Sequence, residues 1–232
     1  MVIWSLFDSE SDTVKKTFSQ LEVYSFGVGS GKSHICLDLS DFELAKVELD
    51  KYPKPDIIFA SPPCETWCFV SVGNKRHYTS EHGINLYWKN KWTAFNFTGR
   101  HIERLKNGIS TLETTFKIIE RYKPEYWFVE NGTRSLAFAY LNEVLGLDGY
   151  KNLTNYYSYG FDYLKPTTIY SNILLRLKNN SPNVKLAKLE TYVRGFTKSE
   201  LYSYRSRVPS GLYLDIFEQA MTGGVPLLNF PP

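Results

Sequence analysis

Short apolar runs alternate with stretches of helical periodicity through the first two-thirds of the chain, a pattern that predicts a mostly parallel sheet covered by helices. Strands are expected at Val2 to Phe7, Glu22 to Phe26, His34 to Leu37, Asp56 to Ala60, Tyr126 to Glu130, Leu153 to Tyr157 and Thr168 to Leu175. Helices fit between them at Asp12 to Gln20, Phe42 to Lys51, Ser110 to Tyr122 and Ser135 to Leu145, the third carrying Leu112, Phe116 and Ile119 on one face. A last helix, Leu212 to Met221, should stop at Thr222-Gly223-Gly224, ahead of Pro226. Pro53 and Pro55 break the chain just before the fourth strand. Two connections, Val70 to Asn107 and Lys178 to Thr197, are too long for tight loops, and long connections in compact domains tend to carry function. There is no internal repeat and no low-complexity tract.

A chain of 232 residues can bury one large core or two small ones, and one domain is the working expectation. Hydrophobic residues at 43% and charged residues at 22% exclude disorder and collagen-like repeats. The aromatic share of 16% allows base stacking but fits core and half-buried surface better. No run approaches the roughly 20 apolar residues that a membrane span requires, and Met1 to Trp4 enters an acidic turn with no charged leader, so a cytoplasmic protein is expected. Cys36, Cys64 and Cys68 are an odd set outside any secreted framework, which implies reduced thiols.

The net charge of +3 is unevenly spread. Between Val70 and Gly108, Lys75, Arg76, Lys89, Lys91, Arg100, Arg104 and Lys106 face only Glu81 and Glu103, a local +5. Between Arg176 and Arg207 eight basic residues, among them Arg205 and Arg207, face Glu190 and Glu200, a local +6. Such segregation suits two cationic surfaces over a phosphate backbone; two solvated basic loops are the plainer alternative.

Two strings carry chemistry. In Asp56-Ile-Ile-Phe-Ala-Ser-Pro-Pro-Cys64-Glu-Thr-Trp-Cys68 a buried strand ends at a double proline, which presents Cys64 at the carboxyl end of the sheet, where open α/β folds place ligands. A thiol activated there can attack an electron-poor ring carbon; a buried, inert cysteine is the other reading. In Pro124-Glu-Tyr-Trp-Phe-Val-Glu130-Asn131-Gly132 a second apolar strand delivers a carboxyl group to the same end. In a half-buried pocket it can act as a proton donor, and a turn or capping role stands beside that.

The two strings together resemble the DNA cytosine-5 methyltransferase family, especially its short phage-encoded branch. Pro62-Pro63-Cys64 matches the family's nucleophile loop and Glu130-Asn131 its later Glu-Asn pair. Tyr159-Gly160, Lys165-Pro166-Thr167 and Thr222-Gly223-Gly224-Val225-Pro226 are similar to its later segments, so the resemblance spans nearly the whole chain. It implies a Rossmann-like class I methyltransferase fold with a mixed sheet, helices on both faces and an antiparallel last strand. It implies attack by the Cys64 thiolate on carbon 6 of a flipped cytosine, Glu130 acting at ring nitrogen 3, and S-adenosylmethionine as cofactor. Cofactor contacts are expected from Phe7, Asp8, Ser9, Asp38 and Pro62, and contacts to double-stranded DNA from Lys75, Arg76, Lys89, Lys91, Lys165, Arg205 and Arg207. A small basic insertion at 173–207 stands where the family reads its target.

The chain departs from the family in its cofactor half. The family's Phe-x-Gly-x-Gly reads Phe7-Asp8-Ser9-Glu10-Ser11 here, followed by Asp12, and the acid that holds the ribose hydroxyls after the second strand is replaced by Gly27-Val28-Gly29. Lys165 and Thr167 occupy the neighbourhood of a missing arginine, and lysine lacks the planar fork. A DNA-binding protein that has lost methyl transfer is therefore the second reading. Gly31-Lys32-Ser33 does not complete a phosphate loop, because Phe26 stands where its first glycine belongs. Cys64 and Cys68 have no second pair to complete a zinc site.

Overall fold

The computed structural model describes residues 1–8, 12–28, 35–67, 99–180, 197, 206–223 and 225–226. In chain order these form β1 (Val2–Leu6), α1 (Thr13–Thr17), β2 (Glu22–Gly27), β3 (Ile35–Cys36), α2 (Phe42–Leu49), β4 (Ile57–Ala60), α3 (Gly99–Tyr122) and β5 (Tyr126–Gly132). They continue with α4 (Ala137–Ala139), which widens into a π-turn over Tyr140–Val144, then β6 (Tyr150–Asn155), a 3₁₀ turn (Tyr156–Tyr159), β7 (Pro166–Ser171), β8 (Ile173–Leu174), α5 (Ser210–Met221) and β9 (Val225–Pro226).

Seven of the described strands form one sheet in the order β3-β2-β1-β4-β5-β7-β6. Pairings from β3 through β5 are parallel, whereas β7 runs antiparallel to both β5 and β6. β4 is buried at all four positions, as a central parallel strand covered on both faces must be. Alternation along the strands divides the core. Trp4, Leu6, Ile58, Ala60, Trp127 and Val129 join one apolar cluster with Ala45 of α2, Leu112 of α3 and Phe138 of α4. Ile3, Ile57, Phe59 and Phe128 join the other with Val14 of α1 and Leu212 and Ile216 of α5. Helices thus cover both faces. The largest fully buried side chains include Trp4, Trp67, Tyr156, Tyr170, Phe26, Phe128 and Phe138, so much of the aromatic excess is core. No helix among the described residues is long and apolar enough to cross a membrane.

Several boundaries differ from those expected. The second-last long strand begins at Tyr150 rather than Leu153 and ends at Asn155, because the chain turns 3₁₀ at Tyr156, where Asn155 Oδ1 accepts from the Ser158 amide at 3.0 Å. The strand expected from Thr168 to Leu175 breaks at Asn172, whose side chain accepts from the Trp127 amide at 3.1 Å and donates to the Glu125 carbonyl at 2.8 Å. The piece beyond it, β8, pairs with β9 in a separate two-stranded ribbon. α3 begins at Gly99, inside the stretch expected as a connection from Val70 to Asn107. Most of the 173–207 insertion lies outside the described residues. Its first part is fastened: the Thr154 hydroxyl donates to the Lys178 carbonyl at 2.7 Å and the Asn155 amide to Asn179 Oδ1 at 2.7 Å and the Asn180 carbonyl at 3.0 Å.

Candidate active site

Register places the chemistry. Leu6 pairs with Ala60 and Ala60 with Val129, so β1, β4 and β5 finish side by side and release Phe7-Asp8, Ser61-Pro62-Pro63-Cys64 and Glu130-Asn131 at one edge. Because β7 runs the other way, its first residues return to that same edge: Asn131 pairs with Thr168 and Gly132 with Thr167, next to Pro166 and Lys165. These strand ends line a cleft of about 860 Å³, a size usual for small-molecule sites. Phe7, Asp8, Asp38, Pro62, Cys64, Glu130 and Lys165 all line it. Arg207 is exposed beside Ser206, which also lines the cleft. Ser9, Lys75, Arg76, Lys89, Lys91 and Arg205 lie outside the described residues.

The loop that carries Cys64 is seated from several sides. Asn131 is buried and its amide donates to the Pro62 carbonyl at 3.1 Å. The Ser61 amide donates to the Leu6 carbonyl at 3.1 Å. Beyond the thiol, the amide of buried Trp67 donates to the Cys64 carbonyl at 3.0 Å and its indole to the Gly108 carbonyl at 3.2 Å, while its own carbonyl accepts from Leu136. Gly108 has a reason to be glycine inside α3: a Cβ there would lie 2.5 Å from the Thr66 side chain. The double proline thus ends a strand, and helix, strand and indole hold the residues beyond it. Cys64 is exposed, not an inert core thiol.

Glu130 is held differently. Its side chain is 14% exposed, and Oε1 accepts a 2.8 Å hydrogen bond from the hydroxyl of Tyr156. Lys165 Nζ lies 3.8 Å from the same oxygen and 4.3 Å from the centroid of the Tyr156 ring. Burial, followed by the charge of Glu130 and the hydrogen bond to it, keeps the Tyr156 phenol protonated well above its ordinary range. Sequence reasoning passed over Trp67, Gly108 and Tyr156. The first stood in plain view three residues after Cys64, whereas the tyrosine carries no local signal.

The other half of the cleft is framed by Phe7, Val28, Leu37 and Leu39 with Asp8 and Asp38. The exposed Asp38 follows the end of β3 and accepts from the Ser40 amide through Oδ1 at 2.8 Å. Apolar side chains beside two carboxylates, the exposed Asp38 among them, are the described residues that could hold a cofactor in this half. Directly after β2 the side chain is Val28, 71% exposed, with no carboxylate beside it in the sequence. The connection after β1 is unusual too, since Phe7 at φ 61° and Asp12 at φ 46° both take the left-handed conformation without being glycine. Asp12 is buried, and its Oδ1 has no partner among the described residues. Gly27 faces the Asp8 carbonyl so closely that a Cβ would lie 2.5 Å from it.

A seven-stranded sheet in this order, with β7 reversed and a cleft at the carboxyl ends of the parallel strands, is the Rossmann-like methyltransferase fold. No family model and no curated protein matches the chain. Among solved structures it is similar to the Entamoeba histolytica methyltransferase EhMeth, at 11% identity and a TM-score of 0.48, over 83% of this chain and 59% of that one. It is also similar to a protein described as a DNA modification methyltransferase encoded within prophage Cp of E. coli, at 12% identity and a TM-score of 0.44, over 85% of this chain and 56% of that one. The chain spans less than two thirds of the length of either.

Proposed function

We propose that this chain is a DNA cytosine-5 methyltransferase acting on a base flipped into the cleft. The observation that carries the reading is the arrival of an exposed Cys64 and a half-buried Glu130 at one cleft, with Asn131 tying the two loops together. The Cys64 thiolate forms a bond to carbon 6 while Glu130 gives a proton to ring nitrogen 3, and the displaced electron pair makes carbon 5 nucleophilic. S-adenosylmethionine, when bound, supplies the methyl group that carbon 5 takes up. A base from solvent then takes the carbon 5 proton, the pair left behind re-forms the carbon 5–carbon 6 double bond as the sulfur–carbon bond breaks and frees Cys64, and nitrogen 3 returns its proton to Glu130. Asp38, Phe7, Leu39 and Pro62 are the described residues that would hold the cofactor, and Lys165 would face the polar edge of the base.

Duplex DNA carrying 5-fluorocytosine tests this, because fluorine blocks the final elimination and leaves the protein attached. With cofactor present an adduct should form, and Cys64→Ser should abolish it. An adduct that survives the substitution takes Cys64 out of the reaction. Absence of any adduct, together with retained DNA binding, favours the second reading, a DNA-binding protein without methyl transfer. That reading draws its support from Val28 standing directly after β2 with no carboxylate beside it.

A further inference from the structure

Tyr156 sits directly after β6, outside both strings that carry the chemistry, and is completely buried. Its ring packs edge-on against Phe161, with centroids 5.4 Å apart and planes at 81°, inside the cluster on the α1 and α5 face of the sheet. A phenylalanine would fill that space equally well. The hydroxyl is the part that packing does not explain, and it points at one atom, Oε1 of Glu130, at 2.8 Å. Lys165 Nζ approaches the same oxygen at 3.8 Å, lying over the ring that carries the hydroxyl.

We infer that Tyr156 is a positioning residue for the Glu130 carboxyl group: its buried hydroxyl holds Oε1 and so assigns Oε2 to the ligand in the cleft. The purpose of this arrangement rests on the proposed reaction, but the arrangement itself rests on the geometry alone. A carboxyl group at a strand end can rotate about its last bond and present either oxygen. A buried donor fixed by its own packing removes that freedom, and the lysine reinforces the choice by lying on the occupied side. Burial keeps the Tyr156 phenol protonated, so its hydroxyl is available to donate to the Glu130 carboxylate, as the 2.8 Å contact shows. With Oε1 taken by the hydroxyl and faced by the lysine, Oε2 is the oxygen left to meet a ligand in the cleft.

The test uses the full chain and two readouts. Tyr156→Phe should move the carboxyl carbon resonance of Glu130, followed in protein labelled with carbon-13 at the glutamate carboxyls and assigned by Glu130→Gln. Replacing Tyr156 by 3-fluorotyrosine, a stronger donor of the same shape, should move it in the opposite direction, and this variant decides the matter if Tyr156→Phe does not fold. On 5-fluorocytosine duplex the Tyr156→Phe adduct should form about tenfold more slowly, with half-saturation by DNA unchanged, since the hydrogen bond acts on orientation and not on binding. Glu130 resonances indistinguishable from wild type in both variants would overturn the inference. If the wild-type protein forms no adduct, the cytosine reading falls, and the resonances alone still decide whether Tyr156 positions Glu130.

Discussion

The side-chain amide of Asn131 reaches the carbonyl of Pro62 across 3.1 Å, so the strand that carries Glu130 holds the loop that carries Cys64. Its Oδ1 accepts from the Gly132 amide at 3.0 Å, which fixes the plane of the amide. Both ends of the side chain are thus committed.

Asn131→Ala should cost about 1 to 3 kcal/mol, because the buried Pro62 carbonyl loses its donor, and should lower the melting temperature by several degrees. The same change should speed alkylation of Cys64 by iodoacetamide as the loop loosens. A variant with wild-type melting and wild-type labelling would mean that the tether is dispensable and that Trp67 and Gly108 alone seat the loop.

Cofactor binding should be weak in the wild-type chain. Asp8, Glu10 and Asp12 follow β1 in the sequence, serines stand where the resembled family has both glycines, and Val28 has no side-chain acceptor to offer a ribose. Calorimetric titration with S-adenosylmethionine should show tighter binding by the triple variant Ser9→Gly, Glu10→Ala, Ser11→Gly, through relief of crowding and of like charge. Tight binding by the wild type would show a connection rebuilt around the cofactor.

Alkaline stability should follow the buried phenols. Tyr122 is pushed up to about 12 by burial and by its hydrogen bond to Asp50, and Tyr170 to about 12 by burial. In each case the folded value is raised above the unfolded value near 10, so the associated stability is fully present below pH 10 and is lost as the pH rises toward 12. Each phenol removes up to about 1.4 kcal/mol per pH unit across that window. Thermal melts from pH 9 to 11.5 should drop steeply, and Tyr170→Phe should flatten the fall. A curve of the same slope in that variant would assign the loss to other groups.

DNA affinity should weaken steeply with salt, each neutralised phosphate contributing roughly 0.9 to the log-log slope on duplex DNA. Replacing Lys75, Arg76, Lys89 and Lys91 together by alanine should flatten that slope. An affinity indifferent to salt, or to the four substitutions, would reduce the basic stretches to solvated surface.

The sheet was legible in the sequence because period and punctuation agreed. β4 lies between Pro55 and the Pro62-Pro63 pair, and the register that brings Phe7, Cys64 and Glu130 to one edge arises from parallel strands of similar length. The β6 boundaries and the split of β7 from β8 were not legible, since both depend on asparagine side chains, Asn155 and Asn172, that replace backbone partners through tertiary contacts. Within the site, Cys64 and Glu130 stood out by their position after apolar runs. Tyr156 did not, because what brings it to the site is the reach of its hydroxyl to Glu130 on β5, a contact that leaves no local mark in the sequence. Gly108 reads as a weak point in a helix until Thr66 is placed against it.

Ser61 has a consequence for how ligands are measured on this protein. Its amide is bound to the strand that leads into Asp8, and the next residues are Pro62, Pro63 and Cys64, so one short stretch of backbone is a wall common to both halves of the cleft. If a nucleic acid and a cofactor share this wall, as the proposed function requires, any coupling between them is reciprocal: the factor by which the one changes the affinity of the other holds in both directions. Under that reading, an affinity measured for either one alone would report a different state of the wall from one measured with the other already bound.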